Sequence, residues 1–211
     1  MCKQKGHSYC SELGEDPSEW SKVAPLSKPS WIIESFEILS NALSFARNGN
    51  LEKSVNLLKN SADLQMRSWF DLHGQNSGTW RYKSFGIPEP SPIVPLDSVK
   101  KFERFEPEIF ARDNFHCRYC ASPVLPEISF REINALLGDE FMPLGRTNLT
   151  RSGFYLMFVA TLDHVLPWSL GGRTNGANLV TSCWSCNYGK AHYTVEQLGI
   201  ENPFWREVLK P

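Results

Sequence analysis

The 211-residue sequence has no long apolar run. Its longest, Phe154 to Ala160, is far too short to cross a bilayer, so no membrane partner is expected. The first ten residues, MCKQKGHSYC, lack the apolar stretch of a secretory leader, and a cytoplasmic location is the expectation. Charge of one sign is not in excess either. The formal net charge is −1, with ten Lys/Arg and ten Asp/Glu in residues 1–96 and twelve against thirteen in 97–211. That balance speaks against a histone-like, non-specific nucleic-acid binder, though a local basic surface can exist within a neutral total. No internal repeat or low-complexity tract is present. With 41% hydrophobic residues and 21% charged ones, the chain reads as globular and large enough for one proper core without disulfides.

Cysteine is scarce but patterned. Of the six, Cys117 and Cys120 form one C-x-x-C pair and Cys183 and Cys186 another. Without a secretory leader such pairs favour metal over disulfide. Each pair puts two thiols on a tight turn, and two turns face to face supply the four thiolates of a closed tetrahedral zinc site. Such an ion would be structural, with no open position for substrate. Four unrelated buried cysteines, or a redox pair, is the alternative. Cys2, His7 and Cys10 make a much weaker second cluster, for which reduced thiols suffice.

The pattern along the chain predicts an α+β fold. Residues 1–30 read as an irregular arm. Ser30 is placed to cap a helix running through Arg47, with Ile32, Phe36, Leu39 and Leu43 on its apolar face. Asn48-Gly49-Asn50 stops it, and Leu51, Val55, Leu58, Ala62 and Met66 continue the period in a second helix. A helical hairpin over 31–73 follows, suited to packing or docking. Residues 74–96, rich in Gly and Pro, read as a connector with PEPSPIVP extended and a boundary near Pro95. A second domain then covers 97–211. In it, Lys100–Arg112 and Pro126–Leu137 are expected helices, Ser152–Leu162 is an expected strand, and Thr194–Gln197 signals a short C-terminal helix.

Between the cysteine pairs stand Asp163-His164-Val165-Leu166-Pro167, Gly171-Gly172 and Asn178-Leu179. Cys183-Trp-Ser-Cys186-Asn187-Tyr188-Gly189-Lys190 follows. In this order the sequence resembles the HNH endonuclease family, in the branch whose ββα-metal core is braced by four cysteines. The final His of the family name is here Asn187, an H-N-N variant. The resemblance covers about 110–198. The 42 residues between Cys120 and Asp163 exceed the family spacing, so an insertion of about 121–158 is expected, either a recognition device or a packing elaboration.

The resemblance implies a metal-dependent endonuclease, acting on DNA rather than RNA because the family mostly cuts DNA. It implies His164 as general base, since a neutral imidazole can take a proton from water near pH 7. It implies Asp163 and Asn187 as ligands of a catalytic Mg²⁺ or Mn²⁺. Asn178 is expected to fix the loop beside the strand of His164, and Gly171-Gly172 to allow its bend. Lys190, three residues beyond Asn187, is expected on the same helix face with a phosphate in reach. His192 reads as a surface residue. His116 and Arg112 are weaker candidates for metal and phosphate, and Trp168 and Trp184 suit packing better than base stacking. Between Phe141 and Val195 the only carboxylate is Asp163, where the chain average would place roughly six, while Arg146, Arg151, Arg173 and Lys190 are present. A site for a polyanion should be stripped of acids in this way. Two other readings stay open: a non-catalytic zinc-braced nucleic-acid-binding module, and an effector subunit docked through its N-terminal helices to a regulatory protein of an anti-phage system.

Overall fold

The computed structural model describes residues 9–88 and 102–208. Helix α1 (Ile32–Arg47) starts from Trp31 with no side-chain cap, so Ser30 does not play the capping part expected of it. Gly49, at φ 74°, makes the turn into α2 (Leu51–Lys59). The second helix was expected to reach Met66, but it ends at Lys59. There Asn60 Nδ2 donates to Asn56 O and Ser61 Oγ to Leu58 O, so side chains satisfy the carbonyls that a longer helix would use. Helix α3 (Asp63–Trp69) follows and runs into a single π turn, Phe70–Gly74.

Residues 77–85 correct the connector. Ser77–Phe85 is a helix, α4, and tertiary packing holds it. A Cβ on Gly78 would lie 2.0 Å from Gly189 O, so the backbones meet closely. Arg81 is wholly buried, and its guanidinium donates to the carbonyls of Pro25, Leu198 and Ser21. Burial pulls its pKa down to about 10. One arginine thus ties the N-terminal arm to the C-terminal segment, and Cys10, Leu13, Trp20 and Leu26 of the arm form a small core of their own. From Glu89 onward PEPSPIVP lies outside the described residues.

Beyond the connector, the expected helix at 100–112 is a 3₁₀ turn (Phe102–Phe105) followed by α5 (Glu106–Arg112). Helix α6 (Glu127–Leu137) starts directly after Pro126, as expected. The expected strand at 152–162 is mostly helix: α7 (Gly153–Phe158) precedes β1 (Ala160–His164). The reason is a cap supplied from elsewhere in the chain. Asp63 Oδ1 accepts from Ser152 Oγ and from the backbone N–H of Gly153, at 2.9 and 2.6 Å. Ser152 Oγ in turn accepts from Phe154 N. These bonds satisfy the first amides of a helix whose every residue is buried, and that outweighs the strand preference of an aromatic run. Thr194–Gln197 is one turn rather than a helix, closed by reciprocal Thr194 and Gln197 side-chain bonds.

Strands β1 and β2 (Leu179–Cys183) are antiparallel, with Ala160 opposite Cys183 and His164 opposite Leu179. Helix α8 (Trp184–Lys190) leaves β2 directly and packs back on β1. One core surrounds this unit and contains Ile109, Tyr119, Leu162, Val180 and Leu198. A second joins α1, α2 and α3 to α6 and α7 through Leu39, Met66, Phe130 and Phe158. Helices α6 and α7 therefore pack against the hairpin, reinforced by the bidentate Arg47–Glu132 pair.

His73, on the π turn, is buried with Nδ1 3.4 Å from Cys10 Sγ. Burial pulls its pKa below the usual imidazole value, and the charge of Glu12 opposes this. The fold thus prefers the neutral ring. That contribution is complete above the unfolded value of about 6.5 and is lost as pH falls through the folded one. Thermal denaturation should show a stability loss on acidification through this window that is smaller in His73→Gln; an identical pH slope in both proteins would refute it.

Candidate active site

The Sγ atoms of Cys117, Cys120, Cys183 and Cys186 all lie within 4.8 Å of one another. None forms a disulfide. Cys120 and Cys183 Sγ are 3.8 Å apart, close to the roughly 3.8 Å edge of a tetrahedron with 2.3 Å zinc–sulfur bonds. Ala121, at φ 61°, closes the first turn, and the second straddles the β2–α8 junction, where Cys186 N approaches Cys183 Sγ at 3.4 Å. Three of the thiols are buried in the core around the sheet. The donor set fits a structural metal ion. Among the described residues no second cluster of three or more His, Cys, Asp or Glu ligands exists.

Asp163, His164, Asn187 and Lys190 come together where α8 crosses β1. Asp163 is buried. Tyr119 donates its hydroxyl to Oδ2 at 2.6 Å, and Lys190 Nζ sits 3.2 Å from Oδ2 and 3.4 Å from Oδ1. Burial pushes the Asp163 pKa up, against the pull of Lys190 and of the Tyr119 bond. The Tyr119 hydroxyl is held well above its usual range by burial and by that carboxylate.

Lys190 corrects the sequence reading. It does follow Asn187 by three residues, but its side chain is fully buried and donates to His164 O at 2.8 Å. An ammonium so placed reaches no phosphate. Replacing it by methionine should strand a buried carboxylate and cost about 3–5 kcal/mol in urea unfolding, with part of the loss recovered in Lys190→Met/Asp163→Asn. A cost under about 1 kcal/mol would show that the pair does not hold α8 to β1.

His164 is half-buried at the end of β1, its Nε2 3.0 Å from Thr174 Oγ1 and its ring 6.4 Å from that of Phe102. Burial pulls its pKa below the usual value, Asp163 opposes, and Lys190 adds to the fall. A neutral imidazole is the form that can accept a proton.

Asn178 Oδ1 accepts from Leu166 N, and its Nδ2 donates to Leu166 O and Arg173 O. These bonds lock both ends of the loop that carries Thr174. Gly171 has φ 87°, and a Cβ on Gly172 would fall 1.8 Å from Leu166 O.

Asn187 Nδ2 donates to Thr161 Oγ1 and Leu162 O at 2.9 and 3.3 Å. A divalent cation shared by Asp163 and Asn187 does not fit these side chains as they stand. Asp163 is the one carboxylate of residues 141–195, it is buried, and both of its oxygens face an ammonium that a second cation would have to displace.

The lesser candidates resolve simply. His116 Nδ1 lies 2.6 Å from Asn114 O, outside the cysteine cluster. Arg112 ties α5 to β2 through Asp113 and Leu179 O. Trp184 packs between Tyr155 and Tyr188, and His192 is exposed. Cys2 and His7 lie outside the described residues. Reading the sequence missed Tyr119, Thr161 and Thr174. The last two carry no pattern, while Tyr119 stands inside the first C-x-x-C.

Residues 158–192 match the family model of the HNH endonucleases. The match takes in both strands, the loop and α8, and its outer cysteine partners come from the turn at 117–120. No curated protein and no solved structure matches the chain. The match suggests nuclease activity and implies nucleic acid as partner. No helix among the described residues is long and apolar enough to cross a membrane.

Proposed function

We propose that the protein is an endonuclease that hydrolyses phosphodiester bonds, with DNA as its preferred substrate and His164 as general base. The observation that carries this reading is the placing of His164: a half-buried imidazole at a strand end, inside the family match, where burial disfavours its charged form. In the tautomer whose Nε2 donates to Thr174 Oγ1, Nδ1 is left as the acceptor for a proton from water. A water on the Nδ1 side of the ring gives its proton to Nδ1 as its oxygen bonds phosphorus, and the P–O3′ bond in line with it breaks, leaving a 5′-phosphate and a 3′ oxygen that takes a proton from solvent. Thr174 orients the ring, Asn178 holds the loop of Thr174, and the Asp163–Lys190 pair fixes the strand beneath. Zinc at the four cysteines supports the fold and takes no part in the chemistry.

The test is incubation of supercoiled plasmid, and separately of single-stranded RNA, with the purified protein, with and without added magnesium. Cutting of plasmid that leaves 5′-phosphates supports the reading. No cutting of either substrate overturns it. One observation favours a second reading, a non-catalytic nucleic-acid-binding module: both carboxylate oxygens of Asp163 are already engaged by Lys190. That module would bind plasmid without cutting it.

A further inference from the structure

The insertion delivers a guanidinium that the chemistry above does not use. Arg151 lies between α6 and α7, half-buried, with its Cζ 5.1 Å from the ring centres of both Tyr155 and Trp184. Its Nε donates to Gly145 O at 2.9 Å, which fixes the plane of the group. The two terminal nitrogens have no hydrogen-bond partner among the described residues, and no carboxylate there pairs with them. Glu127, whose charge is felt at Tyr155, is paired with Arg131 instead. The terminal nitrogens are not buried, so the pre-oriented fork opens to solvent, where an incoming anion can reach it.

Its neighbours say which anion. Trp184 opens α8, and Asn187 follows one turn later on the same helix. Tyr188 stacks on Trp184 at 5.0 Å and is 43% exposed, so the aromatic pile under Arg151 reaches the surface beside Asn187. Arg146 is exposed on the same insertion, and the surrounding sequence is almost free of acids.

We infer that Arg151 is a binding site for a backbone phosphate of the nucleic-acid strand, one helical turn of α8 away from Asn187, and that Tyr188 offers its exposed ring to the adjoining base. This rests on the nuclease reading and adds a contact to it. Stacking on two rings and the Nε bond pre-orient the guanidinium fork, so little rotamer freedom is lost on binding. Aromatic stacking tolerates any base, so the contact would add affinity rather than sequence choice.

The test measures binding in protein carrying His164→Ala, so that nothing is cut. A short fluorescein-labelled DNA duplex is titrated at several potassium chloride concentrations and followed by polarisation. Arg151→Gln should weaken binding about three- to tenfold and lower the slope of log affinity against log salt by about 0.9. Arg151→Lys keeps the charge and should retain the slope while losing affinity about threefold. Arg47→Gln, which removes a surface arginine already paired with Glu132, should change neither quantity. A purely structural Arg151 would lower the melting temperature and leave the slope untouched, and that result overturns the inference. If Arg151→Gln does not fold, an Arg151→Lys affinity equal to the parent's overturns it as well. Absence of any binding by the parent removes this inference together with the nuclease reading, whereas binding with an unchanged slope removes this inference alone.

Discussion

Replacing His164 with alanine is expected to slow phosphodiester cleavage by about 10²–10⁴-fold while leaving nucleic-acid affinity unchanged. The size follows from the role: a positioned base that takes a proton in the transition state contributes to kcat and not to ground-state binding. His164 suits that role because burial favours its neutral form and because Thr174 engages Nε2. The ring is half-buried at a strand end, so its loss should leave the sheet intact. His192 is the control. It is exposed and stacks loosely on Tyr193, so His192→Ala should cut at the parent's rate. Single-turnover cleavage of a labelled duplex by the two variants measures both effects. Equal rates for His164→Ala and the parent would end the general-base assignment.

Stripping metal from the four-cysteine cluster should unfold the sheet unit. Structural zinc contributes apparent binding energies of about 10–16 kcal/mol in small modules, against about 5–15 kcal/mol for the net stability of a whole domain. A zinc ion at this cluster would be a large part of what holds β2 and α8 in place. Cys117, Cys183 and Cys186 sit in the same core as Leu162, Val180 and Leu198, and the sheet has two strands among the described residues. Two strands alone are marginal in water. Purified protein should carry one zinc per chain. Removal by a strong chelator, or Cys186→Ser, should abolish the cooperative thermal transition of this unit and any cutting with it. Circular dichroism and metal analysis on the same samples check the pairing. Full retention of the melting temperature after metal removal would mean that the thiols are ordinary core cysteines.

Much of the centre could be read from residue order, because there the chemistry demands particular side chains at fixed spacings. Two C-x-x-C pairs meet as a cluster, and Asp163, His164, Asn187 and Lys190 meet on β1 and α8. What spacing could not tell is direction. Lys190 is on the expected helix, yet its ammonium points inward to Asp163 instead of outward to a phosphate, because a carboxylate buried beside it needs a counter-charge. The same limit applied to secondary structure. The aromatic run at 153–158 has a strand's composition, and an aspartate ninety residues earlier makes it a helix. Helix α4 was hidden in a glycine-rich stretch because Gly78 serves the close approach to Gly189, not a turn.

The linear order of residues alone therefore determined the elements whose cause is local: α1, α6 and the two cysteine turns. The tertiary structure alone decided which of these groups face solvent and which face one another. The hairpin's apolar side is covered by α6 and α7, Asp163 is closed off by Lys190 and Tyr119, and the terminal nitrogens of Arg151 are left without a counter-ion among the described residues. The physical reason is that periodicity and motif spacing act over a few residues. The desolvation that forces buried charges to pair acts only once segments distant in the chain have packed together.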